Sequence, residues 1–110
     1  MKQLSKSILL FFILLIPLLM LSAEKGDVAK GKELFGNRCA VCHSAGGEGN
    51  AVMAKVLGIT IPVLGSKEVQ SLDDAALKKI VLEGKGKMKP VALSAQEVEN
   101  AIAFLRTLKK

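Results

Sequence analysis

The sequence predicts an all-α fold of three main helices in one small domain, and three observations lead there. Apolar residues recur at helical spacing in three stretches, toward Arg38, from Leu72 to Val81 and from Val98 to Leu108, each preceded by a residue suited to cap a helix. No stretch alternates apolar and polar residues at the two-residue period of a half-buried strand. The connections concentrate glycine in Gly46-Gly47-Glu48-Gly49-Asn50 and in Gly84 to Pro90, as turns between helices require.

The elements follow in order. Lys2 and Lys6 open the chain, Ile8 to Leu21 is almost unbroken Ile, Leu, Phe and Met, and Ser22-Ala23 precedes the first acidic residue, Glu24. This is the layout of a secretory signal peptide over residues 1–23, with residues 24–110 as the exported domain. The apolar run from Ile8 to Ala23 is 16 residues, short of the ~20 that span a bilayer. Leu21 is larger than the small residue usual at that place before a cut, so retention of residues 8–23 as an inner-membrane anchor is the alternative. No cysteine ends the run, which excludes a lipid-modified start.

The first helix starts at Asp27 and runs toward Arg38, with Leu34 and Phe35 on its buried side and Gly31 leaving room for another helix to come close. A short helix is expected from Ala51 to Leu57, then a loop through Thr60, Pro62 and Gly65. The second main helix is assigned Ser71 as N-cap with Asp74 three residues on, a stripe of Leu72, Ala76, Leu77, Ile80 and Val81, and Gly84 as its stop. The third opens on Ser94-Ala95-Gln96-Glu97, a full capping box. Val98, Ala101, Ile102, Leu105 and Leu108 keep its spacing, and Arg106, Lys109 and Lys110 lie at the negative end of its dipole.

Chemistry is concentrated in Cys39-Ala40-Val41-Cys42-His43, which holds both cysteines and the only histidine. C-x-x-C-H is the attachment signature of c-type haem. On a helical turn, i and i+3 share a face, so both thiols can bond the vinyl groups of one porphyrin. Position i+4 lies on that face too, which places the His43 imidazole as an axial iron ligand. A structural zinc site wants four ligands and this motif offers three. A thioredoxin-like dithiol belongs beside a strand-helix-strand pattern, whereas the flanks here are helical. A plain disulfide leaves His43 without a role.

With one histidine, the sixth position must be methionine, lysine, water or empty. Met88 stands in a Gly- and Lys-rich loop with no helical packing neighbours, 45 residues beyond His43, and is the expected ligand. Met53 is spaced to Val56 and Leu57 as a core residue, and only ten residues separate it from His43. Lys85, Lys87 and Lys89 bracket Met88, with Lys78 and Lys79 on the preceding helix. They read as a positive rim that steers an acidic partner surface.

The chain resembles a small monohaem class I cytochrome c of the bacterial periplasmic type over nearly all of Asp27 to Leu108. The resemblance is carried by Gly31-Lys32-Glu33-Leu34-Phe35, Cys39 to His43, Pro62-Val63-Leu64-Gly65, Ile80 to Met88 and Ala103-Phe104-Leu105-Arg106. It implies a cytochrome c-like fold around one covalent haem, with Gly31 of the first helix crossing against Phe104 of the last. It also implies that the Pro62 carbonyl accepts from the second nitrogen of His43 and so orients it. The chain departs from the pattern in having Ile61 where the family has Gly, no Trp or Tyr for a propionate, and Lys89 between Met88 and the proline.

The expected function is electron transfer, not enzymatic catalysis: a closed His43/Met88 haem cycling between Fe(II) and Fe(III) outside the cytoplasm. The alternatives are an open-site gas sensor or peroxidase-like haem protein, and a redox subunit of a larger respiratory complex. Without residues 1–23 the remaining 87 residues carry 14 basic against 10 acidic side chains. That balance fits redox proteins with acidic surfaces. Nothing in the chain has the pattern of a nucleic-acid reader. A monomer is expected, touching a membrane only if the N-terminal segment is kept. So short a domain, with Phe35 and Phe104 its only aromatic residues beyond the leader, has little core of its own, and its haem-free form is expected to fold poorly.

Overall fold

The computed structural model describes residues 25–110, and the predicted leader, residues 1–23, lies outside them. Among the described residues six helices follow one another: α1 Val28–Arg38, α2 Ala40–His43, α3 Ala51–Leu57, α4 Lys67–Gln70, α5 Asp74–Glu83 and α6 Ala95–Thr107. The longer α1, α5 and α6 are the three predicted main helices, and the fold is all-α as expected. Among the described residues, β-pairing is limited to an isolated bridge between Lys85 and Met88. None of the described helices is long and apolar enough to cross a membrane.

Each of the three main helices starts where a side chain relieves its free amides. Asp27 accepts from the Lys30 amide at 2.9 Å and opens α1. Ser94 Oγ accepts from the Glu97 amide at 3.1 Å while the Glu97 carboxylate accepts from the Ser94 amide at 2.9 Å, the reciprocal box predicted for α6. The start of α5 differs from expectation. Asp73, not Ser71, is its cap, accepting from the Ala76 amide at 2.8 Å. A carboxylate offers the helix dipole a charge as well as an acceptor. Ser71 instead looks backward, its hydroxyl donating to the Glu68 carbonyl at 2.8 Å at the end of the unpredicted α4. Leu72, placed in the α5 stripe by the sequence, therefore precedes the helix and is exposed.

The core is Phe35, Leu64, Leu77, Val98, Ile102, Phe104 and Leu105. It forms where α1 crosses α6. A Cβ on Gly31 would strike the Asn100 carbonyl oxygen and lie 2.9 Å from Phe104 Cβ, so only glycine allows this approach. The Phe104 ring then tilts against Phe35 with centroids 5.2 Å apart, which is the crossing the resemblance implied.

Polar ties fasten the two ends of α6. At its start, buried Asn100 accepts through Oδ1 from the Asp27 amide at 2.8 Å and from Gln96 Nε2 at 3.0 Å. Gly26 lies so close to α6 that a Cβ there would be 2.8 Å from Ala103 Cβ. The incoming chain is thus pinned from residue 26 onward. Near its end, Arg106 donates to the Gln70 carbonyl at 2.9 Å, the Leu72 carbonyl at 2.7 Å and Asp74 Oδ1 at 2.8 Å. Gln70 Nε2 completes the tie by donating to the carbonyls of Leu64 at 2.9 Å and Leu105 at 3.1 Å.

Candidate functional site

Cys39 sits at the break between α1 and α2, its amide donating to the Phe35 carbonyl at 2.8 Å. The next turn is closed by the His43 amide donating to the Cys39 carbonyl at 3.0 Å. The expected helical turn therefore exists and brings Cys39, Cys42 and His43 together. Ser44, at φ 63, ends it, and the glycine loop folds back over it. The Gly49 amide donates to the His43 carbonyl and the Asn50 amide to the Cys42 carbonyl, both at 2.8 Å. Gly49 has φ 93, a conformation costly for other residues.

Both cysteines are half-buried and unpaired with each other, so a disulfide is not what they form here. Nor, among the described residues, do three Cys, His, Asp or Glu side chains gather as a metal site of their own. Burial pushes the Cys39 thiol above its ordinary value, with the Arg38 charge pulling it down to a lesser degree. Burial lowers the His43 imidazole. His43 is thereby held in its neutral form near pH 7, the form that binds a metal.

The His43 ring lies against Phe35, centroids 6.5 Å apart and tilted by 42°. Its Nδ1 is buried and has no hydrogen-bond partner. The bond to the Pro62 carbonyl implied by the resemblance is thus not formed in this structure. Pro62 is exposed, and Ile61 packs beside Gly49, where a Cβ would lie 3.4 Å from the Ile61 Cβ.

Met88 is held on a different element. Lys85 and Met88 exchange backbone bonds of 3.0 Å around Gly86-Lys87, with Gly86 at φ 58. Gly84, at φ 81, ends α5 as predicted, and a Cβ there would lie 2.6 Å from the Met88 carbonyl oxygen. Met88 is half-buried and outside the core. Met53 differs from its expected core role: it too is half-buried and outside the core, because α3 buries none of its residues.

Among the lysines, Lys85, Lys87 and Lys89 are exposed and make no ion pair with a described residue. Lys78 does not belong with them, since it is paired with Glu99, and Lys79 lies 4.0 Å from Glu83. Sequence reasoning also missed Phe35 as the neighbour of His43. The signal was the spacing 35, 39, 43, which keeps one helical face across the break at Cys39.

Residues 26–105 match the family model described as cytochrome c oxidase, cbb3-type, subunit III. Cytochrome c-554(547) of Halothiobacillus neapolitanus is 38% identical over 90 residues, covering 76% of this chain and 99% of that protein. The chain belongs to the cytochrome c family. Cytochrome c6 of Rippkaea orientalis is 34% identical over 107 residues, covering 96% of this chain and 92% of that one. Among solved structures, the KustC0563 c-type cytochrome superposes with a TM-score of 0.63 at 25% identity, covering 73% of this chain and 98% of its own. As a cytochrome c, the protein is a haem-based electron carrier with a covalently bound c-type haem.

The residues present fit such a group. Two free thiols and an imidazole whose pKa burial lowers are set on one short helix, Cys42 and His43, and on the residue that caps it, Cys39. Val41 in the same turn, and Val52 and Val56 on the neighbouring α3, are 67%, 70% and 72% exposed, bare apolar surface of the kind a porphyrin covers. The core itself holds no side chain below 2% exposure.

Proposed function

We propose that this cytochrome carries one haem through thioethers to Cys39 and Cys42, with His43 and Met88 as axial ligands, and shuttles single electrons outside the cytoplasm. The observation supporting this most directly is the closed turn that sets two free cysteines and the neutral His43 on one face. When bound, the iron takes up and releases one electron by cycling between Fe(II) and Fe(III). Cys39 and Cys42 fix the group in place, each S–H adding across a vinyl double bond without an oxidant. His43 donates from one face. Met88, on a turn pinned by its own backbone bonds, offers a thioether that favours the reduced state and leaves no open position for a substrate. With Nε2 on iron, Nδ1 carries the proton and needs an acceptor. The Pro62 carbonyl is proposed to supply it in the loaded protein.

Residues 1–23 are proposed as the export signal, with cleavage releasing a monomeric periplasmic domain of residues 24–110. Exposed Lys85, Lys87 and Lys89 form its docking rim toward acidic redox proteins.

Intact mass and visible spectra test the reading together. The exported protein should weigh residues 24–110 plus one haem, and its ferric form should show the sulfur-to-iron band toward the red. Met88→Ala should remove that band and Met53→Leu should leave it. Retention of the band in Met88→Ala, or carbon monoxide binding to the native ferrous protein, would rule out Met88 as the ligand.

A further inference from the structure

We infer that Gln70 is a positioning residue for the haem site, because its side-chain amide fixes the end of the loop from which the Pro62 carbonyl must reach His43. This rests on the proposed bond between that carbonyl and Nδ1, and adds what holds the carbonyl within reach. The bond is not formed in this structure, where Nδ1 is buried without a partner. The loop that has to supply it is tied at its ends and free in its middle. Thr60, Ile61 and Pro62 make no backbone hydrogen bond with a described residue. Before them, the Ile59 amide donates to the Ala54 carbonyl at 3.0 Å, and after them the Leu64 amide donates to the Gly47 carbonyl at 2.8 Å. Leu64 follows Pro62 by two residues, so its place confines Pro62 to within about 7 Å.

Two anchors hold Leu64. One is Gly47, in the loop that folds back over the haem motif. The other is Gln70, whose Nε2 donates to the Leu64 carbonyl at 2.9 Å and to the Leu105 carbonyl of α6 at 3.1 Å. Both donors of the amide are thereby used. Gln70 is fixed in its turn. Its own amide donates to the Ser66 carbonyl at 2.9 Å, and its carbonyl accepts from Arg106 at 2.9 Å. Leu64 is buried, and a Cβ on the following Gly65 would strike the Leu108 carbonyl, so little room is left for another donor to replace the amide. The end of α6 thus reaches the Pro62 loop through one side chain. A carbonyl kept at Nδ1 makes the imidazole a stronger donor to iron, and a loop cut loose from Leu64 would hold it there less of the time.

Proton NMR of the haem-loaded protein is the test. In the wild type, the Gln70 side-chain amide protons are expected to exchange with solvent more slowly than those of exposed Asn37. Equal rates would overturn the inference whether or not any variant folds. Gln70→Met keeps an unbranched side chain of similar length but has no N–H to donate. In this variant the His43 Nδ1 proton is expected to exchange at least about tenfold faster, as loss of both bonds frees the loop. The amide of Ile102, 3% exposed in α6, should be quickened much less. An Nδ1 rate that stays at its wild-type value, or rises only as far as that of Ile102, would reduce Gln70 to a general structural tie. Failure of the Pro62 reading has a separate mark: the wild-type Nδ1 proton would exchange as fast as an exposed one while the Gln70 protons stayed slow, and the inference would fall with it.

Discussion

A methyl group at position 31 would occupy the space where the Asn100 carbonyl and Phe104 already meet α1. Gly31→Ala is therefore expected to destabilise the holoprotein by about 1–3 kcal/mol, as forced overpacking does. Gly36, in the same helix, faces open space, and Gly36→Ala should gain about 0.5–1 kcal/mol from helix propensity. Guanidinium denaturation of the two variants checks both signs. Individual residues with local partners were readable in advance. Asp27, Ser94 and Glu97 bond within three residues of themselves, and Cys39 to His43 carry their geometry in their spacing. Residues whose role depends on distant chain were not. Asn100 bonds to an amide 73 positions away, and Gln70 bonds to a carbonyl 35 positions away.

At the scale of elements, the ends of the helices decide most of what is pH-dependent. The Glu97 carboxyl is held below its ordinary value, first by the Ser94 amide and then by the Ser94 hydroxyl. A lowered folded-state value means that the unfolded chain binds more protons, so the cap's contribution is complete above about pH 4.5 and is lost as pH falls through the lowered value. Thermal melts of wild type and Glu97→Gln should accordingly differ most near neutrality and converge as pH falls below the lowered value. Arg106 illustrates a tie between elements. Its fork reaches two carbonyls and Asp74, and Arg106→Lys, which cannot span all three, should cost about 1–2 kcal/mol in chemical denaturation. The Asp74 side chain is 57% exposed, so Asp74→Asn should cost less than about 1 kcal/mol. The second main helix was legible as a helix and misjudged at its start, because Ser71 and Asp73 both read as caps and only tertiary placement separates them. The turn of α4 has too few residues for periodicity to show.

For the whole molecule, fold class and main helices followed from the sequence because helical periodicity survives without a large core. What the sequence placed poorly was apolar surface: Met53 and Leu72 read as core, yet the protein interior is too thin to receive them. Charge also needed the structure, which removes Lys78 from the basic rim by pairing it with Glu99. Substituting Lys85, Lys87 and Lys89 together by Gln should slow reduction of an acidic partner about tenfold at low ionic strength and little at high. An equal effect at both, by stopped-flow absorbance, would count against electrostatic steering.

The pinning of residues 26 and 27 onto α6 bears on how far this carrier can travel. Only Glu24 and Lys25 separate Ala23 from that clamp, a reach of at most about 3.3–3.6 Å per residue. If the leader stayed uncut in the bilayer, the domain would have no slack: it would stand on the membrane like a post, serving only partners that came to it. Release after Ala23 turns the same domain into a messenger. For this cytochrome, the choice between fixed relay and mobile shuttle comes down to one peptide bond.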